Sequence, residues 1–376
     1  MKGSRFFVPI VAIAIVVLVS ACSGAATTAS TAAKSAPAAS TSAPAAGVST
    51  PAASTNSSPA STSVPGAGGS APAATGPAKT LRLAHGQTTT DPLDQGVLAM
   101  AKDLEQRSGG SLKIQDFPNN QLGQVAATVQ GTQSGSIDLV VTGNSYYSGI
   151  VPDTQVLELP FLFKDYNTAH AALDGPVGNA LAAKFDGTGL KLLGWWELGF
   201  RDLTNSKHPV KSPADLSGLK IRTLPSPIQL ALWKDLGAQP TPIDFSELYL
   251  ALSQGTVDAQ ENPVTIILSS KFYEVQKYLT LTHHVYSAAP LLVSQQTWNA
   301  LSDSQRTALQ AAAKAGTDYE RKLVESGSDD ALNQLKQHGM QVVSDPDIAA
   351  FRDKAQPVYQ DFRQKYGGTY LDQLLK

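Results

Sequence analysis

Between Ser23 and Lys79 the chain carries no aromatic residue and no acid, and its only charges are Lys34 and Lys79. Alanine, serine, threonine, proline and glycine dominate it. Such a segment cannot bury enough apolar surface to offset the entropy lost on ordering it. As a flexible coil it would span on the order of 40 Å. Whatever folds must therefore lie from about Thr80 to Lys376, a length that suits one large domain or two small ones.

The segment before the coil narrows its role. Lys2 and Arg5 precede an apolar run from Phe6 to Val19, and small residues lead to Cys22. A charged start, a short apolar stretch and small residues describe an export signal. The run is short for a bilayer span, and Pro9 interrupts it. Cys22 is the only cysteine, which excludes an intrachain disulfide. The stretch Val19-Ser20-Ala21-Cys22 resembles the bacterial lipobox, which implies cleavage before Cys22 and lipid on its sulfur. The alternative is an ordinary export signal with an incidental cysteine. The expected organisation is a signal peptide over 1–21, a lipidated Cys22 opening a tether over 22–79, and a folded domain over 80–376.

Charge in the whole chain is nearly balanced, with a formal net of −2, and no basic run stands out. Nucleic acid is not an expected partner. Strand and helix patterns alternate along the folded part. Leu81–His85, Leu112–Phe117, Ser136–Thr142 and Leu190–Trp196 read as strands, the third near-continuously apolar as in strands buried on both faces. Asp91–Arg107 and Gln124–Gln133 carry helical spacing. Ser212-Pro213 and Ser226-Pro227 each place a cap before a proline suited to the first helical position. Ser302 and Gln305 form a capping-box pattern opening a long helix with few breaks until Gly327. Further helices are expected near Asp330–Gln337 and Asp345–Lys365. This alternation predicts an α/β fold with mostly parallel sheet, in which ligands sit at the carboxyl ends of strands.

Catalytic signatures are absent from the sequence: no G-x-G-x-x-G after a strand, no P-loop, no H-E-x-x-H and no G-x-S-x-G. No enzyme activity, cofactor or metal is expected. His283 and His284 are adjacent, so a strand would point them to opposite sides, where they cannot converge on one ion. The stretch Gly218–Pro227, "GLKIRTLPSP", alternates Leu219 and Ile221 with Lys220 and Arg222. It reads as a short half-buried strand that delivers an arginine to its carboxyl end. A guanidinium there offers a planar fork that fits a carboxylate and is never deprotonated. Pairing with a protein acid, or a surface position, is the plainer reading of the same residue.

Several segments together resemble one family. They are "LPFLF" (Leu159–Phe163), "GPVG" (Gly175–Gly178), the run from Gly199 to Pro227, "ELYLALSQGTVDAQENP" (Glu247–Pro263) and "FYEVQKYLTLTHH" (Phe272–His284). They are similar to the solute receptors, of DctP type, of tripartite ATP-independent periplasmic (TRAP) transporters. The resemblance runs from Thr80 to about Phe362. It implies a two-lobed α/β fold like that of periplasmic binding proteins, with a hinge and a long helix spanning both lobes. Lobe 1 would comprise about 80–198 and 288–327, and lobe 2 about 199–287 and 328–376. The implied function is an extracytoplasmic, lipid-anchored receptor. It would bind an organic acid, a C4-dicarboxylate or a sugar acid, and pass it to the small and large integral-membrane subunits of a sodium-driven transporter. A monomer is expected. A ligand-sensing receptor for a signalling system, or an anchored enzyme on the same scaffold, are the competing readings.

The resemblance also assigns residues. It makes Arg222 the holder of the ligand carboxylate. Arg201 matches a second arginine that contacts ligand or else forms an internal salt bridge. Asn262 matches a cleft amide, although Asn-Pro is also a turn former. Phe245 matches an aromatic against the ligand's carbon chain, in competition with a core role. His85 and Asn144 end strands where polar ligand contacts would fall. Trp195 and Trp196 alternate faces, and Trp196 is preferred for the cleft. Where the family commonly has "DGQENP", this chain has "DAQENP", and Ala259 resists the positive φ that glycine allows.

Overall fold

The computed structural model describes residues 76–376. The expected signal peptide, Cys22 and the tether up to Thr75 fall outside the described residues.

Nine strands among the described residues build one sheet: β1 (Lys79–Ala84), β2 (Leu112–Phe117), β3 (Leu139–Val141), β4 (Leu190–Asn205), β5 (Lys220–Thr223), β6 (Gln239–Pro242), β7 (Ala259–Asn262), β8 (Tyr278–Ser294) and β9 (Gln341–Val343). Their order is β2-β1-β3-β8-β4-β7-β5-β6, with β9 on β8. The two ends are parallel, β1 with β2 and β3, and β5 with β6 and β7. The middle is not. β4 and β8 run antiparallel to each other over most of their length, and β3 and β7 join them antiparallel. The sequence suggested mostly parallel sheet because only the first seven residues of β4 were legible as strand. Its continuation, "ELGFRDLTN", mixes acids, arginine and glycine with apolar residues and reads as a loop.

Both faces of this sheet are covered. Trp195 enters an apolar cluster with Phe185, Trp233 and Phe362, and Trp196 enters a second with Met100, Leu309 and Ala313. The second cluster lies under the helix Pro92–Arg107 and the long helix Asp303–Gln337. Asp91 caps the former, its carboxylate accepting from Leu93 N at 3.0 Å. The capping box opens the latter: Ser302 Oγ accepts from Gln305 N at 3.2 Å, and Gln305 Oε1 accepts from Ser302 N at 3.1 Å.

That long helix has 35 residues and continues through Gly327, where the sequence suggested a break. A Cβ at Gly327 would meet nothing within 4 Å. One glycine costs about 1 kcal/mol in a helix, and buried Val324, Ala331 and Leu335 on either side hold the helix together. The expected helix over Asp345–Lys365 is instead two, Ile348–Lys354 and Gln356–Tyr366. Pro357 has no N–H to continue the first into the second.

The β4–β8 pairing shifts register at three places: Leu192/Gly194, Glu197/Gly199 and Arg201/Leu203. Gly199 takes φ +105°, and a Cβ there would sit 3.1 Å from both Tyr166 Oη and Val324 Cγ1. The bulge therefore needs glycine on both conformational and steric grounds.

Candidate functional site

β5 is the short strand expected from "GLKIR", and it ends with Arg222 and Thr223. Lys220 is half-buried, its Nζ donating to Gly255 O at 3.0 Å. Arg222 is fully buried, not spread on a wet strand face. Its Nε donates to Ile243 O at 2.9 Å, while Nη1 and Nη2 make no hydrogen bond of ordinary geometry, the Tyr146 phenol being the polar group beside them. Burial pulls this guanidinium below its ordinary pKa, with Tyr146 and Glu261 acting against that. A buried guanidinium with its two-pronged end unpartnered is costly by itself, and it matches the geometry of a carboxylate.

Three other elements close around Arg222. Tyr146 lies in the turn Asn144–Tyr147. Burial raises its phenol, and the Arg222 charge works against that rise. Tyr146 Oη accepts from Phe245 N at 3.3 Å. Phe245 is half-buried, its ring 6.1 Å from Phe272 edge to face. The Phe245 ring also abuts the turn after β1, since a Cβ on Gly86 would lie 3.4 Å from Phe245 Cδ1. Residues from β1 to the Tyr146 turn thus meet residues from β5 to β7. Gln124 Nε2 donates to Glu247 Oε1 at 2.7 Å, and Ser269 Oγ donates to Asp91 Oδ2 at 3.0 Å, along the same seam.

Arg201, in β4, is committed elsewhere. Its Nε and Nη2 reach the Glu261 carboxylate at 2.5 and 2.9 Å, and Nη2 also donates to Asn262 Oδ1 at 3.0 Å. His284 Nε2 joins the same carboxylate at 3.1 Å. Burial alone would raise the Glu261 carboxyl; the Arg201 charge and the His284 hydrogen bond outweigh it and bring it down to about 2. Asn262 spends its amide on Gln260 Oε1 at 2.6 Å. Arg201 and Asn262 therefore form one buried network beside Arg222, close enough for the two guanidinium charges to oppose each other. Ala259 lies within β7 and is absent from the positive-φ residues, so its backbone is ordinary strand.

His85 directly follows β1, buried between two acids, with Nε2 at 3.1 Å from Asp116 and 3.5 Å from Asp94. These three are, among the described residues, the one group spaced closely enough to share a metal ion. The ring argues otherwise. Its Nδ1 accepts from Gln87 N at 3.2 Å, which leaves the proton of the neutral ring on Nε2, facing the acids and not offering a lone pair. Asn144 donates through Nδ2 to Thr154 O at 2.9 Å and to Glu158 Oε1 at 3.2 Å, and its Oδ1 is buried without a partner. Gln87 Oε1 and Asn120 Oδ1 are likewise buried and unpartnered.

Trp196 stands apart, which corrects the expectation of a cleft-facing ring. It is a core residue wedged between two helices. A Cβ at Gly96 or at Gly316 would lie 2.9 Å from its ring. The two glycines make room for the indole where the helix Pro92–Arg107 meets the long helix. His283 and His284 do take opposite sides: His284 is buried on Glu261, and His283 is 60% exposed against Asp202. Sequence reasoning missed Tyr146, Glu261 and Glu158. For Glu261 a signal existed, since a buried Arg201 requires a nearby acid and "QENP" supplies one. Tyr146 gave none.

Comparison with known proteins places the fold and this geometry in context. The model of DctP, the bacterial extracellular solute-binding proteins of family 7, matches residues 83–365. The 2,3-diketo-L-gulonate-binding periplasmic protein of Escherichia coli is 41% identical over 276 residues, 73% of this chain and 84% of that protein. A TRAP periplasmic solute-binding protein of a Polaromonas species, bound to D-erythronate, superposes with a TM-score of 0.77 at 38% identity, covering 78% of this chain and 97% of that one. The sugar acid-binding protein of Advenella mimigardefordensis, in complex with galactonate, gives 0.78 at 33% identity, covering 80% and 97%.

Proposed function

Since the chain belongs to family 7 of the bacterial extracellular solute-binding proteins and has their two-lobed α/β fold, we propose that it is an extracytoplasmic receptor for a hydroxylated monocarboxylate of the sugar-acid class. The carboxylate sits on Arg222, and the receptor delivers its ligand to the membrane subunits of a TRAP-type transporter. The observation that carries this reading is the pair of unpartnered nitrogens on a fully buried guanidinium.

The same geometry selects within organic acids. Two candidate arginines in the sequence favoured an acid with more than one polar end, a C4-dicarboxylate or a sugar acid, with a monocarboxylate still open. Here Arg201 is neutralised by Glu261, which leaves one guanidinium for one carboxylate. On the turns that meet beside it, Asn144 Oδ1, Gln87 Oε1 and Asn120 Oδ1 are buried neutral acceptors without a partner, and the Thr223 hydroxyl next to Arg222 is unpartnered too. Acceptors call for hydroxyl donors, not for a second anion. Three relatives named for 2,3-diketo-L-gulonate, D-erythronate and galactonate support the same class.

The test is calorimetry on the full-length protein with galactonate, erythronate, 2,3-diketogulonate and succinate. At least one sugar acid should bind more tightly than succinate and be recovered unchanged. Preference for succinate would overturn the monocarboxylate reading, and a converted product would make the protein an enzyme.

Anchoring rests on Cys22, which lies outside the described residues. Among the described residues no helix is long and apolar enough to cross a membrane. We expect Cys22→Ser to shift the protein from the membrane fraction to the soluble one with ligand binding intact. Retention in the membrane fraction without detergent would remove the lipid anchor from this reading.

A further inference from the structure

The adjacent tyrosines of the turn Asn144–Tyr147 have different tasks. Tyr147 is fully buried, its ring 5.8 Å from Phe185 edge to face, and it anchors the turn in the core. Tyr146 is only half-buried and lies beside the Arg222 guanidinium. Two hydrogen bonds hold this turn against the chain that follows β5. Ser148 Oγ donates to Pro225 O at 3.3 Å, and Phe245 N donates to Tyr146 Oη at 3.3 Å. The turn follows β3, at one parallel end of the sheet, and β5 belongs to the other. Tyr146 therefore reaches Arg222 from across the cleft.

The hydrogen bonds of the phenol leave one item open. Its oxygen accepts from Phe245 N. The guanidinium beside it is also a donor and has no lone pair to offer. The phenol proton itself has no acceptor among the described residues. Asp244, an acid whose charge reaches this phenol, is bonded to Ser246 N at 3.1 Å and Ser246 Oγ at 3.0 Å, not to Tyr146. An O–H flanked by two donors must point away from both. A carboxylate meets this arrangement, because it has about four lone-pair sites and the arginine fork occupies two of them.

We propose that Tyr146 is a ligand-binding residue whose hydroxyl donates a third hydrogen bond to the carboxylate on Arg222, so that both parallel ends of the sheet grip one carboxylate. This rests on the reading that Arg222 holds the carboxylate. Two consequences follow from the chemistry of the pair. A phenol donates without adding a second positive charge, so the grip suits a monoanion better than a dianion. The third bond forms only when the turn after β3 stands against the chain after β5, so the carboxylate itself favours the closed arrangement.

The test is calorimetry on full-length wild type, Tyr146→Phe and a protein carrying 3-fluorotyrosine at position 146, each titrated with galactonate, erythronate, 2,3-diketogulonate and succinate. Tyr146→Phe should weaken every acid that binds by about tenfold to a hundredfold, as loss of a hydrogen bond to a charged group does. The factor should be the same for each acid, since the contact is with the group they share. Fluorine beside the hydroxyl makes it a better donor and a poorer acceptor. If the phenol donates to the ligand, the fluorinated protein binds more tightly, by about twofold. If the phenol serves only to accept from Phe245 N, it binds more weakly. The inference fails if Tyr146→Phe binds within about twofold of wild type, if its loss is confined to one acid, or if fluorination leaves binding equal or weaker. Arg222→Ala separates the two readings. Loss of binding there with none in Tyr146→Phe overturns the role of Tyr146 alone. Wild-type affinity in Arg222→Ala, or no binding of any of the four acids to wild type, overturns both.

Discussion

Arg222→Ala is expected to weaken ligand binding by about 10² to 10⁴, the largest effect of any single substitution in the cleft. The ligand carboxylate would lose its two-pronged partner inside a dry site. Stripping one member from a desolvated ion pair costs about 3–5 kcal/mol, which converts to that range of affinity. The empty fold should tolerate the change. In the absence of ligand the protein satisfies only Nε of this guanidinium, through Ile243 O, and leaves both Nη atoms buried without partners. Deleting a charge the protein itself does not pair removes a penalty along with a contact. Arg222→Lys should rescue little, because a point charge cannot reproduce the planar fork. Calorimetry with the identified acid, beside a melting curve for each variant, separates the two effects. Binding within threefold of wild type in Arg222→Ala would mean that the carboxylate is held elsewhere.

Glu261→Gln should do the reverse and strike the fold before the ligand. Arg201 would be left as a buried charge without its counter-acid, a change that costs about 3–5 kcal/mol. The acid limb of the stability curve should move with it. The Glu261 carboxyl stands at about 2 in the folded protein, against an ordinary 4.5. Its contribution, on the order of 3 kcal/mol, is fully present above the ordinary carboxyl pKa and is lost as pH falls from about 5 towards 2. Asp91, which burial raises to about 6, works in the opposite sense. Its contribution is present at low pH and is lost as pH rises through about 6. Wild type should thus lose stability steeply below pH 5, and Glu261→Gln should lose less over the same interval from a lower start. An equal slope in the two proteins would place the acid sensitivity at other carboxylates.

Much of this was legible from local pattern. The strand Lys220–Thr223 is short and alternates cleanly, so the delivery of Arg222 to its end could be read directly. The capping residues Ser226 and Ser302 mark helix starts by chemistry that acts within one turn. What failed were features fixed by distant partners. β4 runs on through "ELGFRDLTN" because β8 and β7 offer it a ladder, not because those residues favour strand. Trp196 is a core residue because Gly96 and Gly316, far apart in sequence, vacate the space it fills. The long helix crosses Gly327 because burial on either side outweighs the cost of one glycine. Arg201 illustrates the limit in the site itself. The sequence allowed a ligand contact or a salt bridge, and only the placement of Glu261 across the β4–β7 pair decides how its fork is spent.

The order of strands in the sheet also sets an order of events as the chain is made. β3 has no outward neighbour until β8 arrives, and β4 finds its main partner in the same late strand. The helix Pro92–Arg107 packs beneath the long helix, later still in sequence. An emerging chain would therefore hold β1, β2 and β3 as an incomplete sheet, its apolar face uncovered, until Tyr278–Ser294 and Asp303–Gln337 follow. Contacts so distant in sequence close slowly. For a member of an extracytoplasmic family, slowness at this stage has a use: a chain that has not yet closed its sheet would stay threadable through a membrane.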